Sequence, residues 1–258
     1  MPEADLALLI RAAREAGEIA TRFTGPTAKR WDKPDGAGPV TEADLAVNEA
    51  LQTTLRAARP DYGWLSEETD DNSARLDCAR VFIIDPIDGT RSFIEGSNTW
   101  AHALAIAEHG TVTAAVIYLP LLDKLYSATA GAGAYLNNTP IRTGSRAQLT
   151  GASVLAAKPT FAEKHWRGPA PVITRAYRPS LAYRLSLVAE GRFDAMLTLR
   201  PTWEWDIAAG DLILRESGAR TSDRTGTALR FNNLTPQVNG IVAANPALHR
   251  SVISALSA

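Results

Sequence analysis

Apolar residues Leu6, Leu9, Ile10, Ala13, Ala16, Gly17 and Ala20 recur at helical spacing and predict a first helix of about five turns. Residues 25–40 carry Pro26, Pro34, Pro39, Gly36 and Gly38, which reads as a loop. Its part from Lys33 to Val40 is a candidate for mobility, because few side chains there can anchor it. Thr41 opens a second helix through Leu45, Leu51 and Leu55, ended by Arg59-Pro60-Asp61. Residues 62–65 predict a short strand leading into Ser66-Glu67-Glu68, and the acidic stretch 69–73 reads as an exposed loop. Val81-Phe82-Ile83-Ile84 has the pattern of a buried strand and runs directly into Asp85-Pro86-Ile87-Asp88-Gly89-Thr90. Two further apolar runs, 101–107 and 111–118, meet at Glu108-His109-Gly110, a hairpin signal. Short strands are expected at 125–128 and 134–136, followed by a turn at Asn137-Asn138-Thr139-Pro140.

Near residue 150 the pattern changes to alternation. Strands are expected at 154–157, 172–174, 195–199 and 240–244, with helices at 181–190, at 207–217 and from Pro246. Gly191 and Gly218 stand where helix-terminating glycines belong. The chain thus divides into an α+β half, 1–149, and an α/β half, 150–258, with layered sheets and helices.

Composition changes this picture little. The 258 residues are 45% hydrophobic and 21% charged, as in an ordinary globular protein. A net charge of −1 provides no global basic field, so a nucleic acid polymer is not an expected partner. Cys78, the single cysteine, fits a reducing compartment. No apolar run reaches the length of a membrane span, and Glu3 and Asp5 make the N-terminus acidic where a signal peptide is basic. A cytoplasmic location is the expectation.

Candidate chemistry lies in Glu67, Asp85, Asp88 and Asp206, each at an expected strand end or helix start where distant segments can converge. Carboxylates at the end of a buried strand are costly to desolvate unless cations or hydrogen bonds compensate them. Oxygen-only ligands favour magnesium, manganese or calcium, and no zinc spacing is present. Taken singly, each residue also has a plainer reading. Asp206 reads as a helix N-cap, Asp88-Gly89 as a turn, Glu67-Glu68 as an exposed charged pair and Lys33 as a solvated lysine. Thr41-Glu42-Ala43-Asp44 reads as a capping box, and Trp203 and Trp205 as core or rim aromatics.

In combination, Glu67-Glu68, Asp85-Pro-Ile-Asp-Gly-Thr90 and Trp205-Asp206-Ile-Ala-Ala-Gly210 resemble the inositol monophosphatase superfamily of magnesium-dependent, lithium-sensitive phosphatases. Ser66 stands where many members have glycine. The resemblance implies the sugar-phosphatase fold, an αβαβα sandwich. It implies one magnesium on Glu67, Asp85 and the Ile87 carbonyl, and a second on Asp85, Asp88 and Asp206. Two or three Mg2+ per site are implied, with Mn2+ an alternative and Li+ and Ca2+ inhibitory. Gly89 and Thr90 would offer N–H groups to the phosphate, beside Asp88 and Asp206. Thr90 and Asp44 would orient the attacking water with Glu67, and Lys33 would lie near the site. Thr90 is then a relay, and direct attack by water without a phosphoenzyme is the expected route. A monomer or homodimer acting on a small phosphorylated metabolite is implied.

Ser180-Leu-Ala-Tyr-Arg-Leu-Ser-Leu-Val-Ala-Glu-Gly191, Asp194 and Arg200-Pro-Thr-Trp-Glu-Trp-Asp206 look like the 3′(2′),5′-bisphosphate nucleotidase (CysQ-type) branch. That branch removes the 3′-phosphate of 3′-phosphoadenosine 5′-phosphate, a by-product of sulfate assimilation. Leu199 stands where the inositol branch usually carries a glutamate that contacts substrate hydroxyls. Against the nucleotidase branch, Arg91-Ser92-Phe93 replaces its usual Lys-Glu-Phe, and histidinol-phosphate phosphatases can carry a similar run. Arg178, Arg184 and Arg200 are candidates to receive a second phosphate, though each also reads as a surface arginine. Inositol, histidinol or sugar phosphates remain alternative substrates, and a silent metal- or nucleotide-binding protein is a further alternative.

Overall fold

The computed structural model of the chain describes residues 3–34 and 38–257. Residues 35–37, within the stretch read as mobile, lie outside them. Among the described residues the helices are α1 (Asp5–Ala20), α2 (Glu42–Ala58), α3 (Thr90–Ile94), α4 (Leu181–Ala189), α5 (Glu204–Glu216) and α6 (Pro246–Ala255).

The strand Arg80–Asp88 runs second in a seven-stranded sheet. It pairs in parallel with Gly63–Ser66 and antiparallel with Ala101–Glu108, after which the sheet continues as an antiparallel meander to Thr139–Pro140. Both faces of this strand are covered. Phe82 and Ile84 pack with Leu9 of α1 and Leu51 and Leu55 of α2. Val81 and Ile83 pack with Leu185 of α4 and Ile207 and Leu212 of α5. Burial on both sides explains why its sequence is an unbroken apolar run rather than an alternation.

The second sheet runs Thr174–Ala176, Ser153–Ala156, Ala195–Thr198, Ile241–Ala244, Arg220–Ser222. Its first three strands are parallel, and Ile241–Ala244 is antiparallel to both of its neighbours. Met196, Ile241 and Ala243 turn toward α4 and α5, whereas Val154, Leu197 and Val242 pack with Leu248 and Val252 of α6. The layers therefore alternate as α1/α2, sheet, α4/α5, sheet, α6, which is the αβαβα sandwich. Helices α4 and α5 approach closely at Gly210, where a Cβ would stand 2.4 Å from Leu185 Cδ1. Among the described residues, no helix is long and apolar enough to cross a membrane.

Several local expectations shift. The 25–40 stretch is not all loop, since Arg30–Asp32 pairs antiparallel with Pro39–Thr41. Pro39 begins its strand, where a missing N–H is tolerated. The strand expected at 172–174 is Thr174–Ala176. The edge strand Arg220–Ser222 and the short pair Thr202–Trp203 with Gln237–Val238 were not expected, being too short to carry a periodic signal. Helix α5 begins at Glu204 rather than Ile207. The Glu204 side chain turns inward there and accepts hydrogen bonds from the N–H groups of Asn232 and Asn233 at 2.6 and 2.9 Å.

Candidate active site

At the end of the strand Arg80–Asp88 the ladder slips. Asp85 faces Ala103 and Asp88 faces Ala101, so the chain bulges between the two carboxylates. Gly89 follows with φ of 97°, a left-handed conformation that glycine adopts without strain, and α3 begins at Thr90. His102, buried on the neighbouring strand, supports the bulge from behind, with Nδ1 2.5 Å from the Pro86 carbonyl. A carbonyl can only accept, so Nδ1 carries the proton. Burial pushes the imidazole down to about 4, which keeps it neutral. No sequence signal marked His102.

Carboxylate oxygens of Asp85, Asp88 and Asp206 lie within 4.8 Å of one another. Asp206 comes from the first turn of α5, whose N-cap is Trp203, so the plain N-cap reading of Asp206 does not hold. Asp88 meets the N-terminus of α4 and accepts from Ser180 Oγ at 2.5 Å, Ala182 N at 2.6 Å and Leu181 N at 3.2 Å. These bonds favour its charged form, but burial outweighs them and raises its pKa. Burial, then the neighbouring carboxylates, raises Asp85 and Asp206 well above the usual range. Asp85 Oδ1 is buried and accepts no hydrogen bond from the described residues. An orphaned oxygen among crowded carboxylates, with no nitrogen or sulfur donor, fits a hard divalent cation.

Glu67 follows the strand Gly63–Ser66, whose Ser66 faces Ile84, and its N–H donates to the Ile84 carbonyl at 3.2 Å. This parallel pairing brings Glu67 alongside Asp85. Lys33 Nζ sits 2.7 Å from Glu67 Oε1 and 2.7 Å from Glu68 Oε1. It is neither the solvated lysine of the plain reading nor one of the cavity-wall residues. Burial works against its charge, but the two glutamates outweigh burial and raise its pKa. Glu68 is a buried side chain, contrary to the exposed-pair reading. Burial and then Glu67 push it up to about 7 despite Lys33.

Asp44 serves two neighbours. Its Oδ2 accepts from Thr41 N at 2.9 Å and Thr41 Oγ1 at 2.5 Å, completing the capping box of α2. Its Oδ1 accepts from Thr90 Oγ1 at 3.1 Å. The same hydroxyl lies 3.2 Å from the Ile87 carbonyl, and Asp44 both completes the capping box and pairs with Thr90.

A cavity of about 560 Å³ opens beside these groups. Glu67, Asp88, Gly89, Thr90 and Asp206 line it, together with Arg91, Tyr177, Arg184 and Arg200. Arg184 is buried, donates from Nε to the Arg178 carbonyl and from Nη2 to the Pro179 carbonyl at 3.1 Å, and covers one face of the Tyr177 ring. Burial lowers its pKa. Arg178 instead lies over Phe193, away from the cavity wall. Leu199 packs in the α6 core, while its neighbours Thr198 and Arg200 line the cavity. Trp203 and Trp205 stack on each other at 4.8 Å and do not line it, which keeps them rim aromatics. Ser180 was legible only as a helix start. Its hold on Asp88 depends on a contact across the fold.

Comparison with known proteins places the whole chain in one family. The profile of the Inositol monophosphatase family matches residues 1–258. The chain is 31% identical to an inositol-1-monophosphatase of Mesorhizobium japonicum, over 97% of this chain and 95% of that one. It is 32% identical to a histidinol-phosphatase of Mycobacterium tuberculosis, covering 100% of both chains. The crystal structure of extragenic suppressor protein suhB from Bartonella henselae superposes with a TM-score of 0.81 at 26% identity, covering 98% of each chain.

Proposed function

This chain belongs to the inositol monophosphatase family, and from that premise we propose that it removes the 3′-phosphate of a nucleoside 3′,5′-bisphosphate, 3′-phosphoadenosine 5′-phosphate above all, with Mg2+ as cofactor. The family's phosphatases are metal-dependent phosphoric monoester hydrolases, and the three-aspartate cluster is suited to a metal. The observation that carries the reading is the orphaned Asp85 oxygen within that cluster, next to a cavity whose wall also bears Arg91, Arg184 and Arg200. Such a wall suits a substrate with a second anionic group.

Glu67, Asp85, Asp88, Asp206 and the Ile87 carbonyl would hold the cations, which supply positive charge against an anionic phosphoryl group when bound. Everything else is asked of the chain. Gly89 and Thr90 present backbone N–H groups to the phosphate from the turn after the bulge. Thr90 Oγ1, its proton engaged by Asp44 and the Ile87 carbonyl, turns its lone pairs outward to orient a water. Glu67 accepts the proton of that water, and Lys33 fixes the glutamate's orientation. Arg200 faces the 5′-phosphate, and Arg184, whose Nε and Nη2 donate to backbone carbonyls, adds its charge from behind Tyr177.

A panel of 3′-phosphoadenosine 5′-phosphate, inositol 1-phosphate, histidinol phosphate and fructose 1,6-bisphosphate, ranked by kcat/KM with Mg2+, tests the substrate. The nucleotide should lead by at least about tenfold. A lead by inositol 1-phosphate or histidinol phosphate would replace the nucleotide reading with the second one. That second reading is favoured by the names of the Mesorhizobium and Mycobacterium relatives.

A further inference from the structure

We infer that Tyr177 is a stacking platform for a neutral planar heteroaromatic group on the substrate, a nucleobase. The inference rests on the phosphatase reading of the cavity and deepens it by naming what lies at the far end of the phosphorylated molecule. Tyr177 lines the cavity and remains 50% exposed, although it is a large ring placed next to a binding site. It lies in the coil between the strand Thr174–Ala176 and α4. The Arg184 guanidinium covers one face of the ring, 4.3 Å from the ring centroid. Arg184 cannot swing away without loss, because it is only 7% exposed and two of its nitrogens donate to the carbonyls of Arg178 and Pro179. Those carbonyls belong to the two residues that follow the ring in sequence. The ring is therefore held in place before any ligand arrives, and with one face taken by Arg184 the opposite face is the one a ligand would use. Preorganised aromatic surface of this kind binds with little ordering cost.

The same arrangement discriminates between ligand classes. An inositol has no planar face to lay on the ring. Histidinol offers only a small imidazole to stack and carries an ammonium beside it, and the ring's attraction for cations is already taken by Arg184. A second cation on the opposite face would also stand near the Arg184 charge and that of Arg200 across the same cavity, and be repelled. A neutral purine meets neither obstacle. It stacks on the free face, and its phosphates meet the arginines.

Two measurements on the full chain test this. Calorimetric binding of adenosine, which carries no phosphate, should weaken about tenfold in Tyr177→Ala and be retained in Tyr177→Phe. In kinetics with Mg2+, Tyr177→Ala should lose about tenfold more kcat/KM toward 3′-phosphoadenosine 5′-phosphate than toward glycerol 2-phosphate, chiefly through KM. Tyr177→Leu, which keeps an apolar cover on Arg184, should show the same losses as those expected of Tyr177→Ala, and it is the variant to read if the alanine chain folds poorly. Equal losses on the two substrates, or adenosine binding that is undiminished in Tyr177→Ala, would overturn the platform. Because adenosine binding is read without turnover, a failure of the phosphatase reading would show as absent hydrolysis in the unsubstituted chain and would leave the binding result standing.

Discussion

Ser180 Oγ donates to Asp88 Oδ2 at 2.5 Å and also accepts from Tyr183 N at 2.9 Å, so one hydroxyl caps α4 and steadies a carboxylate from the other sheet. Asp88 thereby sits at the positive end of α4, where a negative charge is favoured. Ser180→Ala removes the cap and one of the three bonds to Asp88. A stability loss of about 1 kcal/mol is expected by urea unfolding. Activity should fall about tenfold, with a raised Mg2+ requirement, because a support of a proposed metal ligand is lost. Unchanged Mg2+ dependence would show that Ser180 is only a cap.

Asp88→Asn keeps the size and one acceptor oxygen for α4. The chain is expected to fold, as judged by circular dichroism, while activity falls at least about a hundredfold. An unfolded variant would mark the cluster as primarily structural.

The carboxylates give the metal-free protein an unusual pH response. Buried carboxyls with raised pKa bind protons in the folded state that the unfolded chain has already released. Stability therefore falls as pH rises from the ordinary carboxyl range near 4 through the raised values, which for Glu68 is about 7. Melting temperature in chelator should drop between pH 7 and pH 8, above the range in which His102 and His249, both held down to about 4 by burial, add stability as pH rises. Saturating Mg2+ should flatten or reverse the slope, since the cation binds the deprotonated groups. A metal-free melting temperature that rises across the window would contradict the crowding of these side chains.

Gly210→Ala should place a methyl against Leu185, with its Cβ 2.4 Å from Cδ1. Thermal unfolding is expected to show a loss of about 1–3 kcal/mol as α4 and α5 separate. Asp88 is held at the start of α4 and Asp206 is carried by α5, so Mg2+ affinity should fall in the same variant.

Arg200 is exposed on the cavity wall, whereas Arg184 is occupied by carbonyls and a ring. Arg200→Ala should raise KM for a nucleoside 3′,5′-bisphosphate more than for a nucleoside 3′-monophosphate, by about fivefold or more. Equal change on both substrates would separate Arg200 from a second phosphate.

Much of this arrangement was readable from the chain, and the boundary of legibility has a physical cause. Strands buried on both faces leave apolar runs, and helices leave a repeat of three to four residues, so α1, α2 and the central strand stood out. The candidate site residues were visible because Asp85, Asp88, Gly89 and Thr90 lie within one short stretch of sequence. What stayed hidden depends on contacts across the fold. Glu68 looks like any surface glutamate until Lys33 closes over it, and His102 is one polar letter in an apolar strand. Arg178 lies in the coil before α4 and Arg184 inside it, and which ring each covers is set by the fold, which a linear pattern does not encode.

On the proposed mechanism, Asp44 ties inheritance of the fold to inheritance of the chemistry. A descendant that replaced it would disturb the Thr90 hydroxyl and also uncap the start of a helix of 17 residues. Lineages drifting toward a silent scaffold would meet that structural toll at the first step, which biases the surviving ones toward retaining turnover.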